Sequence, residues 1–228
     1  MKLSKRLSAI AGMVDPCDSV TDIGCDHGYL SVWLLEKGIC RHAVAADIKK
    51  GPLERARANR DEHGISGNDM ELILSDGLKG LAPPDESLKN TLVIAGMGGE
   101  TIAGILSGEA VKAAMYDSYV FSPHTRQEEL RRYLGSSGYR ITDERYPSED
   151  GILYTVIKAV KGTDSCESDA DYILGPFIGT YIKEPDVYAG IRDRYLKMKQ
   201  LINDADIPED RVREIKKEMK IYEGVLRD

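Results

Sequence analysis

The amino-acid sequence predicts an α/β domain with a mostly parallel sheet, followed by two antiparallel helices. Three features support this fold class. Short aliphatic and β-branched runs alternate with helix-like stretches over residues 19–138, a hairpin pattern follows at 139–160, and two amphipathic helical patterns occupy 187–226. A chain of 228 residues can bury the core of one such domain and still supply an appendage.

The predicted strands of the sheet are five short apolar runs. They are SVTDIG (19–24), HAVAADI (42–48), MELILSD (70–76), TLVIAG (91–96) and SYVFSP (118–123). The stretches between them show helical periodicity or end at a helix-stopping glycine, at 28–38, 51–64, 99–115 and 125–138. This repeated order predicts parallel strands with helices on both faces, although it does not determine the order of the strands.

The end of the sheet is predicted from residues 139–160. They contain two strand patterns separated only by PSEDG, which predicts an antiparallel hairpin. The polar segment KGTDSCESDAD (161–171) follows and is typical of a loop between structural units. We therefore predict a first domain at residues 1–161 and a helical, coiled-coil-like domain at 162–228.

The second domain is predicted to be a helical hairpin joined by NDADIPED (203–210), with Pro208 at the first position of the second helix. Its two apolar stripes recur at intervals of three and four residues: Val187, Ile191, Tyr195, Met198 and Ile202, then Val212, Ile215, Met219, Tyr222 and Leu226. The second helix also carries a basic face, Arg213, Lys216, Lys217 and Lys220. Taken alone, such a face is read as a solvated surface.

Composition excludes several classes of protein. The excess of 38 Asp and Glu over 31 Lys and Arg gives a net charge of -7, so a polyanionic partner would need a local basic patch. The four cysteines form no C-x-x-C pair, which indicates reduced thiols and neither a disulfide framework nor a zinc site. No run is long and apolar enough for a bilayer, and the N-terminal stretch is too short and polar for a signal peptide, so we expect a cytoplasmic protein without membrane contact.

Glycines or acidic residues stand at the ends of four consecutive predicted strands. The first strand ends in Gly24–Cys25–Asp26–His27–Gly28, the second in Asp47, the third in Asp76–Gly77 and the fourth in Ala95–Gly96–Met97–Gly98–Gly99. Ligands of open parallel sheets bind where the strands end. Each carboxylate alone could equally cap a helix or brace a loop, but four strand ends with the same character predict a nucleoside site.

The charge of the first loop distinguishes between nucleosides. Asp47 is placed to bind ribose hydroxyls, but the first loop is G-x-x-x-G with Asp26 inside it, and that carboxylate would repel a pyrophosphate. The same carboxylate suits the ammonium and sulfonium groups of S-adenosylmethionine. Asp76 would then accept from the adenine amine, beside the amide of Gly77. His27 is predicted to line this pocket rather than to bind a metal, because no further residue completes a ligand spacing.

Five segments together resemble a known family: DIGCDHGYL, AADIKKGPLERARAN, LSDGL, IAGMGGETI and GYRITDERYPSEDGILYTVI. They are similar to the bacterial tRNA adenine-N1 methyltransferases that modify adenine 22. This resemblance implies a Rossmann-like, S-adenosylmethionine-dependent domain with a coiled-coil-like helical domain after it. Carried over residue by residue, it implies a cofactor site at Asp22, Gly24, Asp26, His27, Gly28, Asp47, Ile48, Asp76, Gly77, Ala95 and Gly96.

The loop after the fourth strand favours a ring nitrogen as the acceptor. Enzymes that methylate an exocyclic amine commonly have an N-P-P-Y-like tetrapeptide there, whereas this chain has A-G-M-G-G. Neutral adenine offers a lone pair at N1, so alignment of the reacting atoms would do most of the catalysis. The candidates to stabilise the cationic product are Asp26, the carbonyls of Gly96 and Met97, and Tyr29, whose side chain could face the crevice or the core.

An adenine N1 in a base pair is occupied, so the enzyme must act on an unpaired or flipped base of its tRNA partner. The candidate basic contacts are Lys2, Lys5 and Arg6, then Arg126, Arg131 and Arg132, and the basic face of the last helix.

Three other functions are compatible with the sequence. A nicotinamide-dependent dehydrogenase is disfavoured by Asp26 and by the missing third glycine. A methyltransferase with another acceptor, or a nucleoside-binding scaffold whose helical tail binds a partner protein, would keep the same fold. The oligomeric state is open, with a monomer as one option.

Overall fold

The computed structural model describes residues 1–203 and 207–227, and its centre is a seven-stranded sheet. The strands are β1 (Ser19–Ile23), β2 (His42–Asp47), β3 (Met70–Leu74), β4 (Asn90–Met97), β5 (Ser118–Pro123), β6 (Tyr139–Arg145) and β9 (Val156–Lys161). Their spatial order is β3-β2-β1-β4-β5-β9-β6. The first five are parallel, and β9 runs antiparallel to both β5 and β6, which confirms the predicted fold class.

Helices cover both faces of this sheet. They are α1 (Lys5–Ala11), α2 (Tyr29–Glu36), α3 (Lys50–Glu62), α4 (Gly99–Gly108), α5 (Ala110–Ala113) and α6 (Gln127–Ser136). Successive side chains of a strand point to opposite faces, so the central strands must be apolar throughout. In β4, Leu92 and Ile94 join the apolar layer beneath α4 and α6, whereas Val93 joins the layer beneath α1 and α2.

Three local predictions need correction. The sequence analysis did not predict α1, a seven-residue helix whose first turn is capped by the Ser4 hydroxyl, which accepts from the Leu7 amide. The single helix predicted at 99–115 is divided at Glu109 into α4 and α5. The tip of the terminal hairpin is not a simple turn, because Ser148–Glu149 (β7) and Ile152–Leu153 (β8) pair as a separate two-stranded sheet.

The elements that follow β9 are all helices: α7 (Asp169–Ile173), α8 (Ile178–Tyr181), α9 (Pro185–Leu201) and α10 (Glu209–Arg227). The polar segment read as a loop contains the start of α7, whose N-terminus is fixed by a capping box between Ser168 and Asp171. Of the connection predicted at 203–210, residues 204–206 lie outside the described residues, and α10 begins one residue after Pro208. No helix in the described parts of the chain combines the length and the apolar character needed to cross a membrane.

The two long helices pack against each other and against the β7–β8 hairpin. Their predicted stripes face this contact, where Val187, Ile191 and Tyr222 are buried with Tyr146 and Leu153. The Arg194 guanidinium also donates to the Leu153 carbonyl at 2.7 Å. The helical tail is therefore attached to the sheet through the tip of the terminal hairpin.

A buried ion pair ties the same region together. Arg131 of α6 is 1% exposed and Glu144 of β6 is fully buried, and the guanidinium Nε donates to the carboxylate at 2.7 Å. Arg131 also donates to the carbonyls of Tyr172 and Ile173 in α7, at 2.8 and 3.2 Å. The prediction that Arg131 contacts RNA is therefore wrong, because burial removes its side chain from the surface.

Candidate functional site

The loop after β1 is a tight turn held against β2. The amides of Gly24 and Cys25 donate to the Ala46 carbonyl at 2.8 and 3.1 Å, so the chain turns across the end of the neighbouring strand. Gly24 has φ 75°, and a Cβ at this position would overlap the terminal methyl group of Met97. Only glycine meets both conditions without strain. This explains why the apolar run of β1 ends in a glycine-bracketed loop.

Asp22 is a buried carboxylate at the base of this loop. Its side chain accepts a hydrogen bond from the Ser31 hydroxyl at 2.9 Å. Burial, with a smaller contribution from the charge of Asp47, raises the pKa of Asp22 to about 6, although the Ser31 hydrogen bond opposes the rise. Since burial disfavours the ionised form, a cationic ligand placed beside Asp22 would offset that cost.

Asp26 and its neighbours form the exposed side of the loop. The Asp26 carboxylate lies 3.1 Å from the Arg55 guanidinium and 3.7 Å from His27 Nε2. The rings of His27 and Tyr29 stack with centroids 5.2 Å apart and planes within 2°. The loop therefore presents a carboxylate and a flat aromatic surface side by side.

One cavity gathers the predicted residues of β1 and β4. Its volume is about 80 Å³, and it is lined by Asp22, Gly24, Asp26, His27, Tyr29 and Ala95 of the predicted set, together with Arg6, Leu7, Cys25 and Leu30. The remaining predicted residues lie outside this cavity. Gly28 stands at the start of α2, and its amide donates to the Cys25 carbonyl at 2.7 Å.

The ends of β2 and β3 continue the same edge of the sheet. The Ser75 amide donates to the Asp47 carbonyl at 2.9 Å, while the Asp47 carboxylate accepts from the Lys49 amide at 2.9 Å. Ile48 is 61% exposed beside it. The pair of predicted adenine contacts, Asp76 and Gly77, follows β3.

Asp76 lies apart from the cavity that Asp22 and Asp26 line. It lines a second cavity of about 270 Å³ beside α4, and its carboxylate pairs with Lys79 at 2.7 Å. Gly77 packs against Ile105 of α4. An exposed pair such as Asp76–Lys79 contributes little to stability, so it does not prevent the carboxylate from accepting another donor.

The loop after β4 contains a β-bulge at Gly96. The pairing with β5 passes from Ala95–Ser122 to Met97–Pro123 and skips Gly96, which has φ 80° and is exposed. The Met97 carbonyl accepts from the His124 amide at 2.9 Å. Bulges commonly redirect the backbone next to active sites. Of the two predicted carbonyls, that of Gly96 is therefore the one omitted from the β4–β5 pairing.

Sequence reasoning did not bring together three side chains near this loop: Arg6 and His124 lie beside Gly96, and the Tyr154 ring lies against both of them. Arg6 Nη1 lies 3.4 Å from His124 Nε2, and the Arg6 guanidinium lies 5.4 Å from the centre of the Tyr154 ring. A Cβ on Gly96 would lie 3.6 Å from His124 Nε2 and 3.7 Å from Arg6 Nη1. Arg6 had been predicted only as a general RNA contact, and no sequence spacing connects it to the other two residues.

The second predicted basic cluster is largely neutralised. Arg126 pairs with Glu129 at 3.0 Å, and Arg132 pairs with Glu128 and Asp169, both at 2.9 Å.

Within residues 1–203 and 207–227, no three His, Cys, Asp or Glu side chains are grouped so that they could hold a metal ion.

Comparison with known proteins identifies the family. A family model described as a methyltransferase domain matches residues 3–157. The tRNA (adenine(22)-N(1))-methyltransferase of Bacillus subtilis is 29% identical over 183 residues, which cover 78% of this chain and 75% of that protein. A Mycoplasma pneumoniae protein provisionally assigned as a tRNA methyltransferase is 32% identical over 181 residues, 77% of this chain and 81% of that protein.

A solved structure extends the similarity to the whole chain. It is a Streptococcus pneumoniae protein provisionally assigned as a tRNA (m1A22) methyltransferase, in complex with S-adenosyl-L-methionine. Its sequence is 28% identical, its TM-score is 0.88, and the match covers 99% of this chain and 100% of that one. The resemblance predicted from the five sequence segments is confirmed. This chain belongs to the methyltransferase-domain family, and among the members of that family it is similar to the bacterial tRNA (adenine(22)-N(1))-methyltransferases.

Proposed function

We propose that this protein transfers the methyl group of S-adenosylmethionine to N1 of adenine 22 in a bacterial tRNA. The observation that carries the proposal is the crevice at the carboxyl ends of the parallel strands, where three carboxylates, Asp22, Asp26 and Asp47, converge around glycine turns. A carboxylate-rich crevice favours a cationic nucleoside over a pyrophosphate. The membership of the chain in a family of tRNA adenine-N1 methyltransferases supports the acceptor.

The residues present fit this cofactor. Asp22, Gly24, Asp26, His27 and Gly28 would hold its charged amino-acid end, because the buried Asp22 needs a cation to offset its ionisation. The ribose and adenine would be held by a further set at the ends of β2, β3 and β4, namely Asp47, Ile48, Asp76, Gly77, Ala95 and Gly96. When bound, S-adenosylmethionine supplies an electrophilic methyl group.

The contribution of the chain to catalysis is alignment and charge stabilisation. The adenine N1 lone pair needs no strong base, so the residues of the site have to hold the base in line and exclude water. Methylation makes the base cationic, and the Gly96 and Met97 carbonyls, Asp26 and Tyr29 are the groups proposed to stabilise that charge. Arg55 neutralises part of the Asp26 charge, so Asp26 acts most strongly when that pair opens.

Recognition of the tRNA is proposed to involve the helical tail. Lys216, Lys217 and Lys220 are exposed on α10, and they provide the local basic patch that a chain of net charge -7 requires. We place the division between the two domains at residues 161 and 162, where the last strand ends. A tRNA substrate implies the cytoplasm. A monomer and a reaction without a metal ion stay predictions.

The experiment that tests the proposal uses labelled S-adenosylmethionine and unmodified tRNA. The tRNA is digested after the reaction and the methylated nucleoside identified, with a tRNA carrying guanosine at position 22 as the matched control. We expect 1-methyladenosine at position 22 and no incorporation into the control. Methylation of another nucleoside would identify a different acceptor. Binding of S-adenosylhomocysteine without methylation of any RNA would overturn the tRNA proposal.

A further inference from the structure

A cluster of three side chains lies on the β5 side of the crevice, opposite β2 and β3. We call Arg6, His124 and Tyr154 the acceptor-side cluster. They come from α1, from the loop after β5 and from the segment between β8 and β9. Arg6 and His124 lie beside the Gly96 bulge, and Tyr154 lies against both of them. The rings of His124 and Tyr154 lie edge to face, with centroids 5.7 Å apart.

The position of Arg6 is fixed by the docking of α1. Glu149 of β7 accepts hydrogen bonds from the Ser4 hydroxyl at 3.0 Å and from the Arg6 amide at 3.2 Å. Leu3 and Ile10 anchor the helix from the other side, since both are buried in the core. Arg6 therefore projects from a fixed backbone towards the crevice, whose cavity it lines.

The charge of Arg6 is not balanced by the groups that its guanidinium contacts. Within the described chain these groups are an imidazole and an aromatic ring, not a carboxylate, and the nearby Glu149 carboxylate accepts from the Ser4 hydroxyl and the Arg6 amide. Burial lowers the pKa of His124, and the charge of Arg6 also lowers it, which favours the neutral form of the imidazole. The cluster thus presents one cation and two flat rings at the mouth of the site.

This chemistry fits one nucleotide of a single strand. Guanidinium groups bind phosphate oxygens with paired hydrogen bonds, and aromatic rings stack on bases that have left a helix. An enzyme that acts on adenine N1 must take the base out of its pairing. A phosphate bound to Arg6 would also cancel a positive charge that otherwise repels the cationic methylated base.

Building on the proposed function, we propose that Arg6 binds a phosphate next to the target adenosine and that Tyr154 and His124 form the wall against which the flipped base stacks. The cluster is thus the nucleotide subsite of the reaction. Arg6 and Tyr154 are binding residues, and neither exchanges a proton with the substrate.

The test for Arg6 compares Arg6→Gln with Lys37→Gln, the same loss of charge at an exposed position just after α2 that is not among the proposed RNA contacts. The affinity for tRNA is measured across a series of salt concentrations, and the affinity for S-adenosylhomocysteine is measured by calorimetry. We expect the slope of log affinity against log salt to fall by about 1 in Arg6→Gln and to recover in Arg6→Lys, since lysine also neutralises a phosphate. The affinity for S-adenosylhomocysteine should be unchanged in the Lys37→Gln control, and in the two Arg6 variants it should change less than the affinity for tRNA.

The test for Tyr154 compares Tyr154→Leu with Tyr154→Phe. Loss of one stacked base corresponds to roughly a 5- to 150-fold decrease in kcat/KM for tRNA, which we expect for leucine and not for phenylalanine. Two results would refute the subsite and leave the proposed function standing, provided that the wild-type enzyme methylates adenine 22. One is a wild-type salt slope of tRNA binding in Arg6→Gln, and the other is a wild-type kcat/KM for tRNA in Tyr154→Leu. If the wild-type enzyme methylates no tRNA, the proposed function itself fails.

Discussion

Replacing Asp22 by Asn should make the free protein more stable at alkaline pH. The folded-state pKa of Asp22 is about 6, against an ordinary value of 3.8, because the carboxylate is buried beside Ser31 and near Asp47. A raised pKa means that the folded protein binds this proton more tightly than the unfolded chain does. The contribution of the protonated Asp22 to the free energy of unfolding is therefore fully present below pH 3.8 and is lost as the pH rises through 6.

The size of the effect follows from the shift. Two pKa units correspond to a difference of roughly 3 kcal/mol in the free energy of unfolding, of which about 2 kcal/mol develops between pH 4.5 and pH 8. Asn keeps the shape of the side chain and can still accept from Ser31, but it carries no charge. We therefore expect the stability of Asp22→Asn, relative to wild type, to increase by about 2 kcal/mol between these pH values.

The assay is urea unfolding of both proteins at pH 4.5 and pH 8 without ligand. Glu86→Gln, the same change from carboxylate to amide on an exposed loop, is the matched control and should show no such gain. Asp22→Asn should also lose affinity for S-adenosylhomocysteine, whose ammonium group needs the charge. If the difference in free energy of unfolding between Asp22→Asn and wild type is the same at pH 4.5 and pH 8, the buried carboxylate imposes no cost. The argument for a cation beside Asp22 would then fail.

Three further changes separate the roles of the glycine turn, the buried ion pair and the basic face. Gly24→Ala and Gly38→Ala both place alanine at a positive φ, so each should lower the free energy of unfolding by about 1–2 kcal/mol. Only Gly24→Ala also displaces the Met97 side chain, so only this variant should lose S-adenosylhomocysteine binding in calorimetry. Glu144→Gln leaves the Arg131 charge buried without its partner, so urea unfolding should show a loss of about 3–5 kcal/mol; a loss below 1 kcal/mol would contradict the buried pair. Replacing Lys216, Lys217 and Lys220 of α10 by glutamine should lower the slope of log tRNA affinity against log salt by up to about 3 without changing S-adenosylhomocysteine affinity. An unchanged slope would refute the proposal that the helical tail binds tRNA.

The strands and the long helices could be predicted because each carries a periodic signal of its own. Strands such as β4 are buried on both faces, so Leu92, Val93 and Ile94 form an unbroken apolar run. The short helices α1 and α7 lack this signal. The N-terminus of α7 is stabilised by the Ser168 capping box, and the same small polar residues also characterise loops.

The residues of the site likewise fall into those that the sequence could predict and those that only the fold brings together. Parallel strands place their carboxyl ends along one edge, so strand-end residues such as Asp22 and Asp47 could be assigned to one crevice before any coordinates were known. The acceptor-side cluster could not be assigned, because Arg6 and His124 are 118 positions apart and the contact depends on the packing of α1. Arg131 was misassigned for a related reason, since only the fold reveals that Glu144 buries its charge.

The buried contacts between α6 and α7 affect how the enzyme selects its target. The Arg131 guanidinium joins a strand of the sheet to the first helix of the tail, so the tail leaves the sheet at a set angle rather than through a loose joint. The helices α9 and α10, with 17 and 19 residues, extend about 25 and 28 Å. A rigid extension of this length would hold its far end at a fixed distance from the active site. A tRNA gripped at its far end would present to the active site whichever nucleotide lies at the matching distance, so position along the folded RNA, more than the surrounding base sequence, would decide which adenine is methylated.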